Sequence, residues 1–416
     1  MRQLARTFPF VIPVLVQTAK PAVIEADSSP ARKSIRRAEE MIVKHPTFYE
    51  PYNALAMAEA RRARGTSDVK YYADAEKALA KSFELSPNNY EGLKIRTWLL
   101  LGRHEFAQAL EAAQKLNRRT PDDVIVYGYL ADANAELGNY KAAEIAAQWM
   151  LNLRPGNVPG LTRGAYLREL FGDLEGAVDF MRTAYDATPT NEVEDRAWLL
   201  TQIAHLYLQM GDLTKAEMCA NGALGVFPDY HYALGTLGQI RLAQKRYNEA
   251  ADLMARRYSR APHAENLYAW AKALKLAGKA DEAASNFAAF EKRSVAESAM
   301  ADNSNHELVF YYADELNKPA EALRIAQMEA ARRQDVHTLD CLAWALHVNH
   351  RDREALERID EALAVGVKDP EILSHAAAIN LNLNERAGAQ SQITSAPRSA
   401  SSSPNTDRWQ WLSSSQ

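Results

Sequence analysis

Cysteine is scarce in this 416-residue chain, which carries Cys219 and Cys341 and no others. The two stand far apart, which argues for two small buried hydrophobes rather than a disulfide. They do not fix a redox compartment. Glycine is sparse as well, 18 residues, and none of it forms a phosphate-cradling loop; Gly222-Ala223-Leu224-Gly225 is not a nucleotide motif. A surplus of basic charge is missing: the net charge is -4 and the pI about 6.2. That excludes the broad cationic field of a nucleic-acid binder. The alternating β-branched runs of a sheet protein are missing too. No apolar run is long enough to span a bilayer. Metal-ligand spacing is lacking. His104-Glu105 and His306-Glu307 have no second histidine four residues beyond the first, and His337, His347, His350 and His375 offer no third ligand at a defined spacing. No metal and no cofactor are expected.

What the chain has is a clock. Pro87, Pro121, Pro155 and Pro189 are each 34 apart, and so are Pro228 and Pro262. The one break, Pro189 to Pro228, is 39, or one period plus five residues inserted near 191–196. A second clock runs in phase. Gly138, Gly172 and Gly211 each stand five before an alanine (Ala143, Ala177, Ala216) and seventeen before a proline. Elsewhere the glycine is replaced and the alanine stays: His104/Ala109, Lys245/Ala250, Asn317/Ala322, His350/Ala355 and Asn384/Ala389. Gly278/Ala283 restores both. The glycine slot needs a left-handed residue that ends a first helix. The alanine slot needs a small residue where two helices cross closely. The proline lies past the second helix, which it cannot continue. Apolar residues at helical spacing fill the first helix, as in Leu200, Ile203, Ala204 and Tyr207.

This period and these residues resemble the tetratricopeptide repeat. Leu200, Ile203-Ala204, Tyr207, Gly211, Ala216, Ala223 and Pro228 follow its pattern closely. The resemblance covers about 49–393 and weakens after Ser294, where Gln334 and then Val367 take the proline slot and Pro319 and Pro370 fall off the clock. The turn at 65–70 is lengthened. The resemblance implies an all-α, right-handed α-solenoid of about ten helix–turn–helix repeats, preceded by a capping helix at 31–44 with Ser29-Pro30 at its start. The array fills nearly the whole chain, which leaves no room for a catalytic domain; an enzyme is not expected.

In this family the first helix of each pair lines the concave face, which implies a groove containing Lys94, Trp98, Asp132, Tyr166, Trp198, His205, Tyr232, Tyr268, Lys272, Tyr311, Trp344 and His347. Carboxylates such as Glu136, Glu169, Glu307 and Asp314 outnumber bases there. The groove is therefore expected to be mildly acidic and aromatic, and to hold a neutral or basic extended protein segment. Half of these aromatics could instead be packing between repeats. The family's clamp for a C-terminal carboxylate is not expected: Trp98 stands where it wants asparagine, and Asp132 would repel an anion. The chain reads as a protein-binding adaptor or scaffold, with a structural role in a larger, possibly envelope, assembly as the alternative.

Three regions stand outside the repeats. Residues 1–29 begin with Arg2 and Arg6 before an apolar stretch at 8–16, the order of a secretory signal, though Pro9 and Pro13 interrupt it. Export or a periplasmic location is one expectation, a cytoplasmic leader the other. Arg32, Lys33, Arg36 and Arg37, and again Arg61, Arg62 and Arg64, form basic runs read as solvated helix faces, with an anionic partner or membrane surface as the alternative. Residues 394–416 are rich in serine, a composition that cannot bury a core, and carry Trp409 and Trp411.

Overall fold

The computed structural model describes residues 29–66, 68 and 70–383. The leader at 1–28 and everything after 383, including the Ala389 slot and the tryptophan-bearing tail, lie outside the described residues. Twenty α-helices and no strands occur among those described. Helix α1 (Pro30–Lys44) comes first. Nine helix pairs follow. Their first helices are α2 (Glu50–Thr66), α4 (Tyr90–Gly102), α6 (Val124–Glu136), α8 (Val158–Leu170), α10 (Val193–Gln209), α12 (His231–Ala243), α14 (Ala264–Leu276), α16 (Asn305–Phe310) and α18 (Val336–Val348). Their second helices are α3 (Lys70–Leu85), α5 (Phe106–Arg119), α7 (Tyr140–Leu153), α9 (Leu174–Ala187), α11 (Leu213–Val226), α13 (Tyr247–Arg260), α15 (Ala280–Glu297), α17 (Pro319–Ala330) and α19 (Asp352–Ala364). Helix α20 (Pro370–Asn382) opens a tenth pair.

The local chemistry of the clock is visible at each turn. His104, Lys245, Asn317 and His350, which replace glycine, all sit in the left-handed region at φ 59, 61, 50 and 60°. Ala75, Ala109, Ala143, Ala177, Ala216, Ala250, Ala283, Ala322 and Ala355 are all buried. A larger side chain in this slot would push the paired helices apart, at about 1–3 kcal/mol. Two residues past the proline, Asn89, Asp123 and Asn157 cap the next first helix by accepting bonds from its leading N–H groups.

The irregularities also have structural counterparts. The five inserted residues lengthen α10 to 17 residues, against 13 in α6 or α8. With Val295 in the proline slot nothing stops α15, which runs for 18 residues. Helix α16 passes into a π-helical segment, Tyr311–Glu315, which adds one residue to that first helix.

The solenoid is wound so tightly that one superhelical turn lies on the next. The turn inside pair 3 meets the link between pairs 8 and 9: the Gln334 N–H donates to the Glu136 carbonyl at 3.3 Å, and the Val336 N–H to the Tyr140 hydroxyl at 2.9 Å. The turn inside pair 4 meets the link after pair 9, Phe171 and Gly172 lying against Gly366. The turn inside pair 2 faces the link after pair 7, with His104 Nδ1 3.9 Å from Asp302. The lengthened first turn shares a cleft with Pro262, His263, Met300 and Asp302. Each of the first four pairs thus lies on chain about five pairs further along, and one continuous apolar core joins Ala131–Ile240 to Val336–Ile379.

Candidate functional site

The seam closes the wall, so the first helices face a lumen and not an open groove. Several expected groove residues are partly exposed on these first helices. Tyr166 and Trp344 are half-buried there. His205 Nε2 lies 2.9 Å from Glu169 Oε1, which also accepts from Gln209 at 2.9 Å. Burial opposes protonation of His205, but the Glu169 bond and charge outweigh it and raise its pKa. Asp132 is bound by Arg163 Nη2 at 2.5 Å, and Lys94 by Asp123 at 2.8 Å. The Tyr232 ring lies tilted against His231, 3.9 Å between centroids. Lys272 is exposed, its ammonium 5.3 Å from the Tyr268 ring.

Near the far end, Trp344 donates to Asp314 at 2.8 Å, stacks on His375 at 4.3 Å and meets His347 at 5.0 Å. His375 in turn holds Asp340 at 2.9 Å, and His347 holds Asp352 at 2.5 Å.

Others belong to the wall. Trp98 and Trp198 are half-buried and each bridges two neighbouring core clusters. Tyr268 and Tyr311 correct the expectation outright. Both are buried around Phe290, at 5.0 and 5.6 Å between rings, and neither lines the lumen. Tyr268 occupies the row that Thr201 and Gly235 fill in other pairs, where the next first helix packs. Tyr311 is turned inward by the π-helical residue, which puts the helix before it one position out of phase. Phe310 takes the inward place instead and meets His375 at 5.5 Å.

Three carboxylates surround Arg333. Arg333 lies 3.5 Å from Glu136, 3.0 Å from Glu329 and 3.6 Å from Asp335. Even so, burial and then Asp335 push the Glu136 carboxyl up to about 7 against the pull of Arg333. Burial and then Glu265 do the same to Glu307, also to about 7. The Glu307 carboxyl accepts a bond from its own backbone N–H, and among the described residues no cation lies within ion-pair distance of it. Arg333 and Phe310 were not legible as site residues. Arg333 sits in an inter-repeat link, and the phase shift at Phe310 has no local signature. No cluster of three or more metal-ligating side chains occurs among the described residues. No described helix is long and apolar enough to cross a membrane.

The tetratricopeptide-repeat family model matches residues 98–157 and 201–265. No curated protein matches the chain. Among solved structures it is similar to a chain of the APC/C hetero-tetramer Cut9–Hcn1, at 12% identity and TM-score 0.47, over 83% of this chain and 59% of that one. It therefore spans under two thirds of that relative's length. Human IFIT1 with m7Gppp-AAAA is similar at 14% identity and TM-score 0.48, over 80% of this chain and 85% of that one. PilW, a type IV pilus biogenesis factor, is similar at 16% identity and TM-score 0.42, over 49% and 92%. The two family matches fall in pairs 2–3 and 5–6, where the glycine, alanine and proline clocks run together, and over those residues the chain carries tetratricopeptide repeats.

Proposed function

We propose that the chain is a protein-binding scaffold, without chemistry of its own, that holds an extended neutral or basic segment against the inner face of its first helices. The observation that carries this reading is Glu307. Its carboxyl has no cation at ion-pair distance and is pushed up to about 7 by burial and then Glu265, and it stands three residues before Phe310 on the same first helix. A lysine or arginine from a partner would supply the missing countercharge, and aromatic faces suit both the stems and the charges of such residues.

Photo-crosslinking tests this. A crosslinking residue placed at Tyr166, on the lumen, should capture partner peptides enriched in lysine and arginine. One placed at Trp149, on an outer helix, should not. Capture from the outer position alone would sink the reading.

A further inference from the structure

Every described second helix but one crosses a first helix of its own pair. The exception is α1. Each slot alanine from Ala75 to Ala250 stands twelve residues before its proline, as Ala75 does before Pro87. By the same count the residue twelve before Pro46 is Ser34. Helix α1 ends ten residues after Ser34, as α3 ends ten after Ala75 and α5 ten after Ala109. Helix α1 is thus a second helix. Its crossing residue, buried in all nine pairs, is here exposed.

Beside Ser34 lies an apolar cleft of about 410 Å³, walled by Ala38, Met41, Phe48, Pro51 and Ala54 from α1 and the start of α2. Phe48 is 57% exposed and Met41 39%. In the repeat geometry this is the place of a first helix.

We infer that this cleft is the seat of an amphipathic, acidic helix donated by a partner protein, which completes the half-repeat that α1 begins. The charge around the seat selects the acid. Arg37 and His45 line the cleft together with Glu50, and on the exposed faces of α1 Lys33, Arg36 and Lys44 outnumber Glu39 and Glu40.

The chain's own leader does not fit the place. The matching helix would span about 15–27, by the offset that puts α6 before Gly138. Pro21 falls in its middle, where a proline costs about 3 kcal/mol. Glu25 falls where Tyr207 and Asn134 pack in other pairs. This surface is separate from the lumen, so it stands or falls independently of the lumen reading.

The probe is a fluorescent peptide with the sequence of residues 193–209, the first helix closest to the repeat pattern. One form carries Arg196→Gln, which leaves it acidic. The other carries Glu194→Lys and Asp195→Lys, which makes it basic. Binding to the full chain is read by fluorescence anisotropy. The acidic form should bind at least tenfold tighter than the basic one. Ser34→Trp, which fills the cleft from an exposed position, should weaken the acidic form at least tenfold and leave the melting temperature unchanged. Arg37→Glu should reverse the charge preference.

Equal binding by the Ser34→Trp chain would overturn the proposal. So would binding that appears only after Phe10→Ser and Ile12→Ser in the leader, which would make the leader the occupant. A dimer that Ser34→Trp converts to monomer would overturn it as well, because a second copy would then fill the seat.

Discussion

The Val336 N–H donates to the hydroxyl of Tyr140 at 2.9 Å, across 196 residues of sequence. Val336 opens α18 and is fully buried; Tyr140 opens α7 and sets its ring edge-on to Phe171 at 6.2 Å. One hydroxyl thereby ties two superhelical turns together. Tyr140→Phe keeps the ring and removes the bond, leaving a buried N–H unpaired at a cost of about 1–3 kcal/mol. Hydrogen exchange should quicken at the Val336 amide by about tenfold or more, while amides in the middle of α12 stay as they were. Uniform acceleration along the chain would show instead that the contact supports the whole fold rather than the seam.

The turn glycines separate the local demand from the long-range one. Gly138 and Gly211 have nearly the same φ, 76 and 77°. Alanine at either pays the left-handed penalty of about 1–2 kcal/mol. At Gly211 a methyl group meets nothing, but at Gly138 it would stand 2.7 Å from the Gln334 carbonyl oxygen. Gly138→Ala should therefore destabilise by about 1–2 kcal/mol more than Gly211→Ala by overpacking. It should also enlarge the radius of gyration in small-angle scattering, which Gly211→Ala should not. Equal melting temperatures with equal dimensions would refute the seam as the cause.

That contrast marks what the sequence could tell. The turn residues His104, Lys245, Asn317 and His350 were placed correctly because a left-handed turn is a local requirement with a fixed period. The slot alanines were placed because helix crossing repeats with that period. A helical phase expects Tyr166, Tyr311 and Trp344 alike on the inner face, but it cannot foresee the π-helical residue that swings Tyr311 into the Phe287–Phe290 core. The seam was not legible at all, since Tyr140 and Val336 carry no sign of each other. Its traces were present as faults in the clock. The long turn at 65–70 and the missing prolines at Val295, Gln334 and Val367 occur where one turn meets the next.

Gln334 makes that point testable. The clock asks for proline there, and restoring a repeat's consensus residue usually stabilises. Here it should do the reverse. Proline has no N–H to give the Glu136 carbonyl, which Gln334 reaches at 3.3 Å, and it restricts the backbone of Arg333 before it. Gln334→Pro should cost about 1–2 kcal/mol in denaturant unfolding. The mirror change, Pro228→Gln, has no described seam contact to lose and should stay within about 0.5 kcal/mol. A gain in stability from Gln334→Pro would show that the bond contributes nothing.

Glu307 links the lumen's charge to pH. Its carboxyl is raised from an ordinary 4.5 to about 7, by burial first and Glu265 second, against its own backbone N–H, Arg333 and Arg257. A raised carboxyl holds its proton longer in the folded chain than in the unfolded one. Its contribution is therefore fully present below pH 4.5 and is lost as pH rises through 7. His306 runs the other way. Burial, then Arg333, lower it to about 4, so the folded ring stays neutral while the unfolded one charges. That contribution is present above 6.5 and is lost as pH falls through 4. Between 4.5 and 6.5 the two slopes oppose each other. Glu307→Gln removes the first and leaves the second. At pH 8 the variant should be more stable than the parent, by at most about 3 kcal/mol. At pH 4 the two should be alike, and acidification from 6.5 to 4.5 should destabilise the variant more steeply. If a basic segment supplies the countercharge to Glu307, its presence should abolish the variant's advantage at pH 8, because the ionised carboxylate is then paired. Stability curves that stay parallel from pH 4 to 8 would rule out Glu307 as the titrating group.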